Sequence, residues 1–378
     1  MNDGASSDPD FGPEWTALEL LAGRPAPPEE PDRLARLLRS PELRMGELIE
    51  QAMRQKLVYR LAAYLDSSGL AGGLAGVGDP PLRESLGTLL RANLYRTILL
   101  RDEAAQIASA LSDHGVRFAC TKGIIFESAL YGADGSRPMR DIDFMIRPED
   151  RPAVVELMTE LGFRPGRYNS QRRTIELDRR TELLYRLNPD HLPHFSRLND
   201  DLILPCVMVD FANSFTWTHS PWQIPMDRCL AELRQHPIPD RSVELPRLAP
   251  QFELLFTILH VFREAWLQQA EGASLEADLA RFADVLSCFT AQRDEITRGE
   301  FGTLVDEFEL REPVLWVLEH LDRTLGSDVV PSLGLDGVVS EDWLASARAP
   351  GGRSLQWRGT MRQRLHDRGP QEFLPAHT

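Results

Sequence analysis

The sequence predicts an α+β protein in which a small mixed β-sheet core is flanked by N-terminal and C-terminal helical regions. Three observations lead there. Apolar residues recur at helical spacing through the first part of the chain, short strand-like runs take over after His114-Gly115, and amphipathic helical spacing returns beyond Trp217. The segments implied are residues 1–12 as a disordered tail, 13–114 as a helical region, 115–216 as the α/β core, 217–366 as a second helical domain and 367–378 as a frayed tail.

Taken in order, residues 25–31 (PAPPEEP) read as a linker or turn. Leu48, Ile49, Met53, Leu57, Leu61 and Leu65 mark a helical face within 32–67, and the glycine-rich run 68–81 interrupts it. Leu86, Leu89, Leu90, Leu94, Ile98 and Leu99 mark a long helix over 81–113. Residues 116–120 (VRFAC) form a short strand that runs into Thr121-Lys122-Gly123, and a helix over 124–131 ends at Gly132. A small-residue loop, 133–139, then delivers the chain to the alternating strand 141–146 (DIDFMI). A helix over 149–161 closes at Gly162, strands are expected at 173–178 and 182–187, and 205–211 (PCVMVDF) is a short apolar strand with one acid near its end. Helices over 252–267, 275–289 and 314–325 complete the expectation.

Length and charge narrow the function. At 378 residues the chain can bury a sizeable core in about two globular parts. Its net charge of −15 repels a polyanion at long range, which disfavours a large nucleic-acid partner while leaving a small anion carried with a metal ion compatible. No apolar run approaches the ~18 residues of a membrane helix. The acidic, polar N-terminus lacks a basic segment leading into an apolar one, so a cytoplasmic protein is expected. Cys120, Cys206, Cys229 and Cys288 are widely spaced, which predicts buried reduced thiols and no zinc cluster. Lys56 and Lys122 are the only lysines; every other basic residue is arginine. A lysine kept against that bias suggests a position that needs a compact ammonium and not a planar fork.

The chemistry concentrates in Lys122-Gly123, Arg137-Pro138, Asp141-Ile142-Asp143-Phe144 and Val209-Asp210-Phe211. On a strand, Asp141 and Asp143 project from one face and Ile142 and Phe144 from the other. Two carboxylates that close raise each other's pKa, and a divalent cation removes the penalty. Mg²⁺ commonly takes one or two carboxylates together with phosphates and water. Asp210 ends an apolar strand, where an acid facing the core would be costly; if that strand neighbours 141–146, three carboxylates converge. Three acids can hold two ions about 3.5–4 Å apart for in-line displacement at phosphorus. Lys122 supplies a point charge at a strand-to-helix junction, Gly123 allows close backbone approach, and Arg137 offers a fork suited to phosphate oxygens. An isolated Asp-x-Asp is most often a solvated strand face; the Lys-Gly and Arg-Pro pairs upstream give this one its specificity. Arg140 and Arg147 read as ion-pair partners of nearby acids. His191 and His194 lie between the acid strands and are candidates for contact with base or acceptor. His260 reads as a core histidine with Asp284 as partner, a pair that equally suits a cleft lining.

The pattern KG-x7-Y, RPM-x-DIDF and a later VDF resembles the uncharacterised nucleotidyltransferase family of the polymerase-β-like superfamily. The resemblance is specific over residues 116–146, weaker to 211 and loose over the helical regions. It maps the superfamily's glycine motif onto Gly123, its Asp-x-Asp onto Asp141 and Asp143, and its third acid onto Asp210. It implies Mg²⁺-dependent transfer of a nucleoside monophosphate from an NTP with release of pyrophosphate, Mn²⁺ being a substitute ion. Some members accompany peptide natural-product pathways, which implies a small-molecule or peptide acceptor. One departure stands out: the usual Gly-Ser or Gly-Gly is Gly123-Ile124 here, so phosphate recognition falls to backbone, Lys122 and Arg137. Asp200 and Asp201 are rival third acids. A non-catalytic nucleotide-binding scaffold is the main alternative function. A nucleotidylating toxin acting on protein or on tRNA, through Arg172, Arg173, Arg179 and Arg180, is another.

Overall fold

The computed structural model describes residues 9–24, 26–68, 80–168, 174–187, 190–217, 220–267, 277–296, 298–335, 337, 339–349, 352–367 and 373–375. Residues 1–8 of the tail expected over 1–12, residues 69–79 of the glycine-rich run 68–81, and Arg172 and Arg173 lie outside them. The protein is α+β, and the chain divides into two compact units: Met1–Glu84 with Thr257–Thr378, and Ser85–Phe256.

Four helices open the chain: α1 (Gly12–Leu21), α2 (Arg33–Arg39), α3 (Met45–Arg54) and α4 (Val58–Ser67). The 34-residue α5 (Pro80–Asp113) follows, as the 81–113 periodicity predicts. The second unit then lays down β1 (Phe118–Thr121), α6 (Gly123–Ala129), β2 (Ile142–Ile146), α7 (Arg151–Glu160), β3 (Arg164–Tyr168), β4 (Thr174–Glu176), α8 (Arg179–Leu187), β5 (Phe195–Leu198), β6 (Cys206–Ala212), α9 (Met226–Cys229), β7 (Leu233–Pro237) and β8 (Glu244–Leu248). Helices α10 (Pro250–Trp266), α11 (Leu279–Gln292), α12 (Arg298–Glu307), α13 (Arg311–Leu325), α14 (Val329–Ser332) and α15 (Glu341–Leu344) come next, with β9 (Ser346–Arg348), β10 (Ser354–Trp357), α16 (Met361–His366) and β11 (Phe373–Pro375) at the end.

The main sheet has the order β4-β3-β5-β6-β2-β1-β8-β7. It is mixed: β2 runs parallel to β6 and β1 parallel to β8, and the remaining neighbours are antiparallel. One face of its centre carries an aromatic row. Phe144 stacks on Phe211 at 5.3 Å, flanked edge-on by Phe118 at 5.8 Å and Phe195 at 6.0 Å. Such pairs contribute about 0.5–1.5 kcal/mol each beyond their burial. Because side chains alternate, the residues preceding Phe144 and Phe211 emerge on the opposite face. Those residues are Asp143 and Asp210. Three consecutive residues of α5 brace the unit in three directions. Arg101 pairs with the buried Glu127 of α6, Asp102 with Arg241 in the β7–β8 turn at 2.7 Å, and Glu103 with Arg197 of β5 at 2.5 Å.

In the other unit, Glu19 is fully buried and satisfied by the Trp15 indole at 2.7 Å and by Arg24 and Arg362. Phe373–Pro375, inside the stretch expected to fray, pairs with β10 in a three-stranded sheet.

Several local expectations are corrected. Residues 182–187, expected as a strand, belong to helix α8. The Thr181 N–H donates to Asp178 Oδ1 at 2.7 Å, an N-terminal cap ahead of good helix formers, and Leu183 lies 55% exposed instead of lining a sheet face. Strands β7 and β8 occupy a region expected to be helical. β7 is a half-exposed edge ending in Pro237, and β8 carries Pro246, so neither displays the alternation that identifies a strand. Strands β3 and β5 are too short and polar to register as apolar runs. All four cysteines are buried and none is in a disulfide, as expected.

Candidate functional site

Strand pairing brings the acids together. β2 and β6 align in parallel with Asp143 opposite Asp210, so both carboxylates leave one face of adjacent strands about 4.8 Å apart. Asp141 stands two residues before Asp143, at the entry to β2. Asp143 is also opposite Thr121 of β1, the residue before Lys122. The Lys122 ammonium lies 3.3 Å from Asp143 Oδ1 and 5.4 Å from the centre of the Phe256 ring.

The electrostatics differ between the strands. Repulsion from Asp143, reinforced by burial and by Asp210, pushes the Asp141 carboxyl up to about 7, against the pull of Lys122. Asp210 goes the other way. Burial raises its pKa, but a hydrogen bond and the charge of His191, with His194 and Lys122, hold it well below the usual carboxylate range. His191 Nδ1 and His194 Nδ1 lie 3.4 and 3.6 Å from Asp210 Oδ1. Both histidines reach it because residues 190–192 run along the end of β6: Leu192 N–H donates to the Phe211 carbonyl at 3.0 Å, and Asn213 N–H to that of Asp190 at 2.9 Å.

Lys122 sits at a sharp strand-to-helix elbow. Its backbone takes φ 47°, ψ −119°, a conformation that ordinarily belongs to glycine and costs on the order of 1–3 kcal/mol elsewhere. The turn is held by the Lys122 carbonyl, which accepts from Ile125 and Phe126 N–H at 3.0 and 2.7 Å. Gly123 follows. A Cβ there would lie 3.0 Å from the Met139 thioether and 3.4 Å from an Arg137 guanidinium nitrogen, so the glycine admits the loop that carries Arg137. Helix α6 starts at Gly123 and has seven residues, two turns at most, so the cationic side chains carry more of the positive potential than its dipole does.

That loop is fastened by two residues the sequence analysis did not single out. The buried Asn93 amide donates to the carbonyls of Gly135 at 2.7 Å and Arg137 at 3.2 Å. Arg96, three residues on and therefore on the same face of α5, donates to those of Met139 at 3.1 Å and Arg140 at 3.2 Å. Gly135 lies so close to α5 that a Cβ would meet Leu94 at 2.9 Å. A signal existed: Asn93 continues the Leu86–Leu90 stripe, where a buried amide must find partners.

The other candidates separate from this group. Asp201 spends Oδ1 on Ile203 and Leu204 N–H and Oδ2 on the Tyr95 hydroxyl, so it shapes the β5–β6 turn. Arg147 pairs with Asp150 and Glu149. Arg179 and Arg180 are exposed at the start of α8. His260 is one-quarter exposed and lies 3.4 Å from Glu264, one turn along its own helix.

Among the described residues, no three acidic, imidazole or thiol side chains stand close enough to cage a metal ion unaided. The mutual repulsion of Asp141 and Asp143 nevertheless fits a hard cation with an open shell, which completes its oxygen ligands with phosphate and water. No described helix is long and apolar enough to cross a membrane. No curated protein matches the chain. The family described as "Uncharacterised nucleotidyltransferase" matches residues 41–326, well over half of the chain, and supports a transferase with nucleotidyl transfer as its general activity. By that match, the chain belongs to the uncharacterised nucleotidyltransferase family.

Proposed function

We propose that the protein is a Mg²⁺-dependent nucleotidyltransferase. It moves a nucleoside monophosphate from an NTP to a hydroxyl, phosphate or carboxylate of a small-molecule, peptide or protein acceptor. The observation that carries this reading is the pairing of Asp143 with Asp210 across β2 and β6, with Asp141 and Lys122 beside them. Asp141 and Asp143 would hold the ion that accompanies the triphosphate, and Asp210 would share a second ion on the acceptor side. Bound there, divalent cations offset the charge that gathers on the phosphate oxygens.

The chain's own groups divide the remaining work. Arg137, fixed by Asn93 and by the opening at Gly123, binds phosphate oxygens with its fork. Lys122 adds a point charge to the same phosphates. The acceptor oxygen attacks the α-phosphorus, the bond to the bridging oxygen breaks, and its electron pair leaves with pyrophosphate. Asp210, deprotonated and turned by His191 and His194, takes the acceptor's proton.

The deciding experiment measures the four NTPs with Mg²⁺ by thermal unfolding and by pyrophosphate release over a panel of acceptors. One NTP is expected to raise Tm and release pyrophosphate. Binding without release favours the scaffold alternative, whose support is Ile124 in place of a small hydroxyl residue. No Tm change with any NTP removes the proposal.

A further inference from the structure

We propose that Lys122 is the resident counter-ion of the Asp141–Asp143–Asp210 cluster, so that a divalent cation binds well only when a triphosphate draws the ammonium away. The idea rests on the nucleotidyl-transfer reading and adds an order of loading to it.

Three observations support it. The ammonium lies 3.3 Å from Asp143 Oδ1, where it competes with an entering cation for that oxygen. Thr121, the residue before Lys122, stands opposite Asp143 across β1 and β2, and Asp143 opposite Asp210 across β2 and β6, so the lysine is attached beside the strands that carry the acids. The side chain is 18% exposed and lies over the Phe256 ring, which gives the ammonium a seat without hydrating it fully.

The residue type and its backbone suit the task. The strained elbow at φ 47° fixes where the Cα–Cβ bond aims, and the four-carbon stem beyond it lets the ammonium swing. In a chain whose other basic residues are arginines, Lys56 excepted, this position keeps the compact ion. His191 and His194 stand beside Asp210, so Asp141 and Asp143 have the single ammonium between them, which leaves room for a stronger cation. A divalent ion arriving alone meets a like charge beside the oxygens it needs. Arriving with a triphosphate, it brings the anion that takes up Lys122.

The test titrates metal-free wild-type protein, K122M and K122R with Mn²⁺, following free Mn²⁺ by electron paramagnetic resonance. Each series is repeated with inorganic triphosphate at fixed free Mn²⁺. K122M is expected to bind Mn²⁺ alone about tenfold more tightly than wild type and to gain less from triphosphate, as loss of a like charge at this range implies. K122R keeps the charge and is expected to stay within about threefold of wild type. Equal or weaker Mn²⁺ binding by K122M overturns the proposal. If K122M is unfolded without metal, recovery of its circular dichroism on adding Mn²⁺ supports the counter-ion role, and no recovery overturns it. Mn²⁺ binding that persists after Asp143→Asn is added to wild type and to K122M removes the metal-site reading itself, which keeps the two failures apart.

Discussion

The two strands that carry the acids present them in opposite electrostatic conditions. On the β2 side, Asp141 and Asp143 repel each other, and one lysine reaches them, so the Asp141 carboxyl is pushed up to about 7. On the β6 side, Asp210 is as buried, yet two imidazoles and the same lysine keep it ionised. Burial is common to both; the number of partners is not. The unmet demand for positive charge therefore sits on β2, and the acid already ionised and partnered sits on β6. In the proposed reaction, that contrast would put metal and triphosphate on one side and the acceptor on the other.

The largest effect should come from removing the demand. Asp141→Asn with Asp143→Asn is expected to abolish the Mg·NTP-induced rise in Tm and to lower pyrophosphate release by about 10³-fold or more. Asp210→Asn is expected to keep most of the Tm rise while release falls by about 10²-fold. Should Asp210→Asn erase nucleotide binding as fully as the double variant does, the two sides are not functionally distinct.

Stability against pH probes the same contrast without a substrate. A carboxyl whose native pKa is raised from 3.8 to about 7 contributes its stability fully below pH ~4, and that contribution is lost as pH rises to about 7. Asp210 behaves inversely: its contribution is present above pH ~4 and lost as pH falls below it. In EDTA, wild-type Tm is therefore expected to fall between pH 5 and 8 relative to Asp141→Asn, by about 2–4 °C. The difference is read between the two proteins because His236, held down to about 4 by burial, and His320, down to about 3, titrate in both. Parallel Tm curves would show that Asp141 is already neutralised.

The imidazoles on Asp210 should matter less than the acid. His191→Ala is expected to lower the rate of transfer about tenfold with the NTP concentration dependence unchanged. His191→Asn, whose amide can stand in for Nδ1–H, should recover part of the loss. A change confined to NTP affinity would move His191 to the triphosphate side.

Much of this arrangement was legible in the sequence because it is local. Asp-Ile-Asp-Phe and Val-Asp-Phe each state, through the period of two, that an acid and an aromatic ring leave opposite faces. The strand at 116–120, the long helix and the turn at Lys122-Gly123 are likewise local patterns. What was missed depends on pairs distant in sequence. Nothing between residues 182 and 198 announces that α8 precedes a segment returning along β6, so the approach of His191 and His194 to Asp210 follows only from the fold. β7 and β8 are strands because β1 offers an edge, not because their residues alternate. The parallel register that sets Asp143 opposite Asp210 belongs to the same class.

The smallest expected effect lies outside both acid strands, in how α5 holds the loop that carries Arg137. Asn93 donates to two carbonyls, at Gly135 and Arg137, and Arg96 to two more, at Met139 and Arg140. Loss of one member of such a set costs about 1 kcal/mol per neutral bond, partly offset where water can enter. Asn93 is 5% exposed, so entry of water is limited there. Asn93→Ala is therefore expected to weaken NTP binding about fivefold, through Arg137, and to lower Tm by about 2 °C. Metal binding at Asp141 and Asp143 should change less, because Arg96 still fixes the carbonyls directly before them. An Asn93→Ala protein that loses metal and nucleotide together would mean that the loop moves as one body. The triphosphate side would then be set by α5 as much as by the sheet.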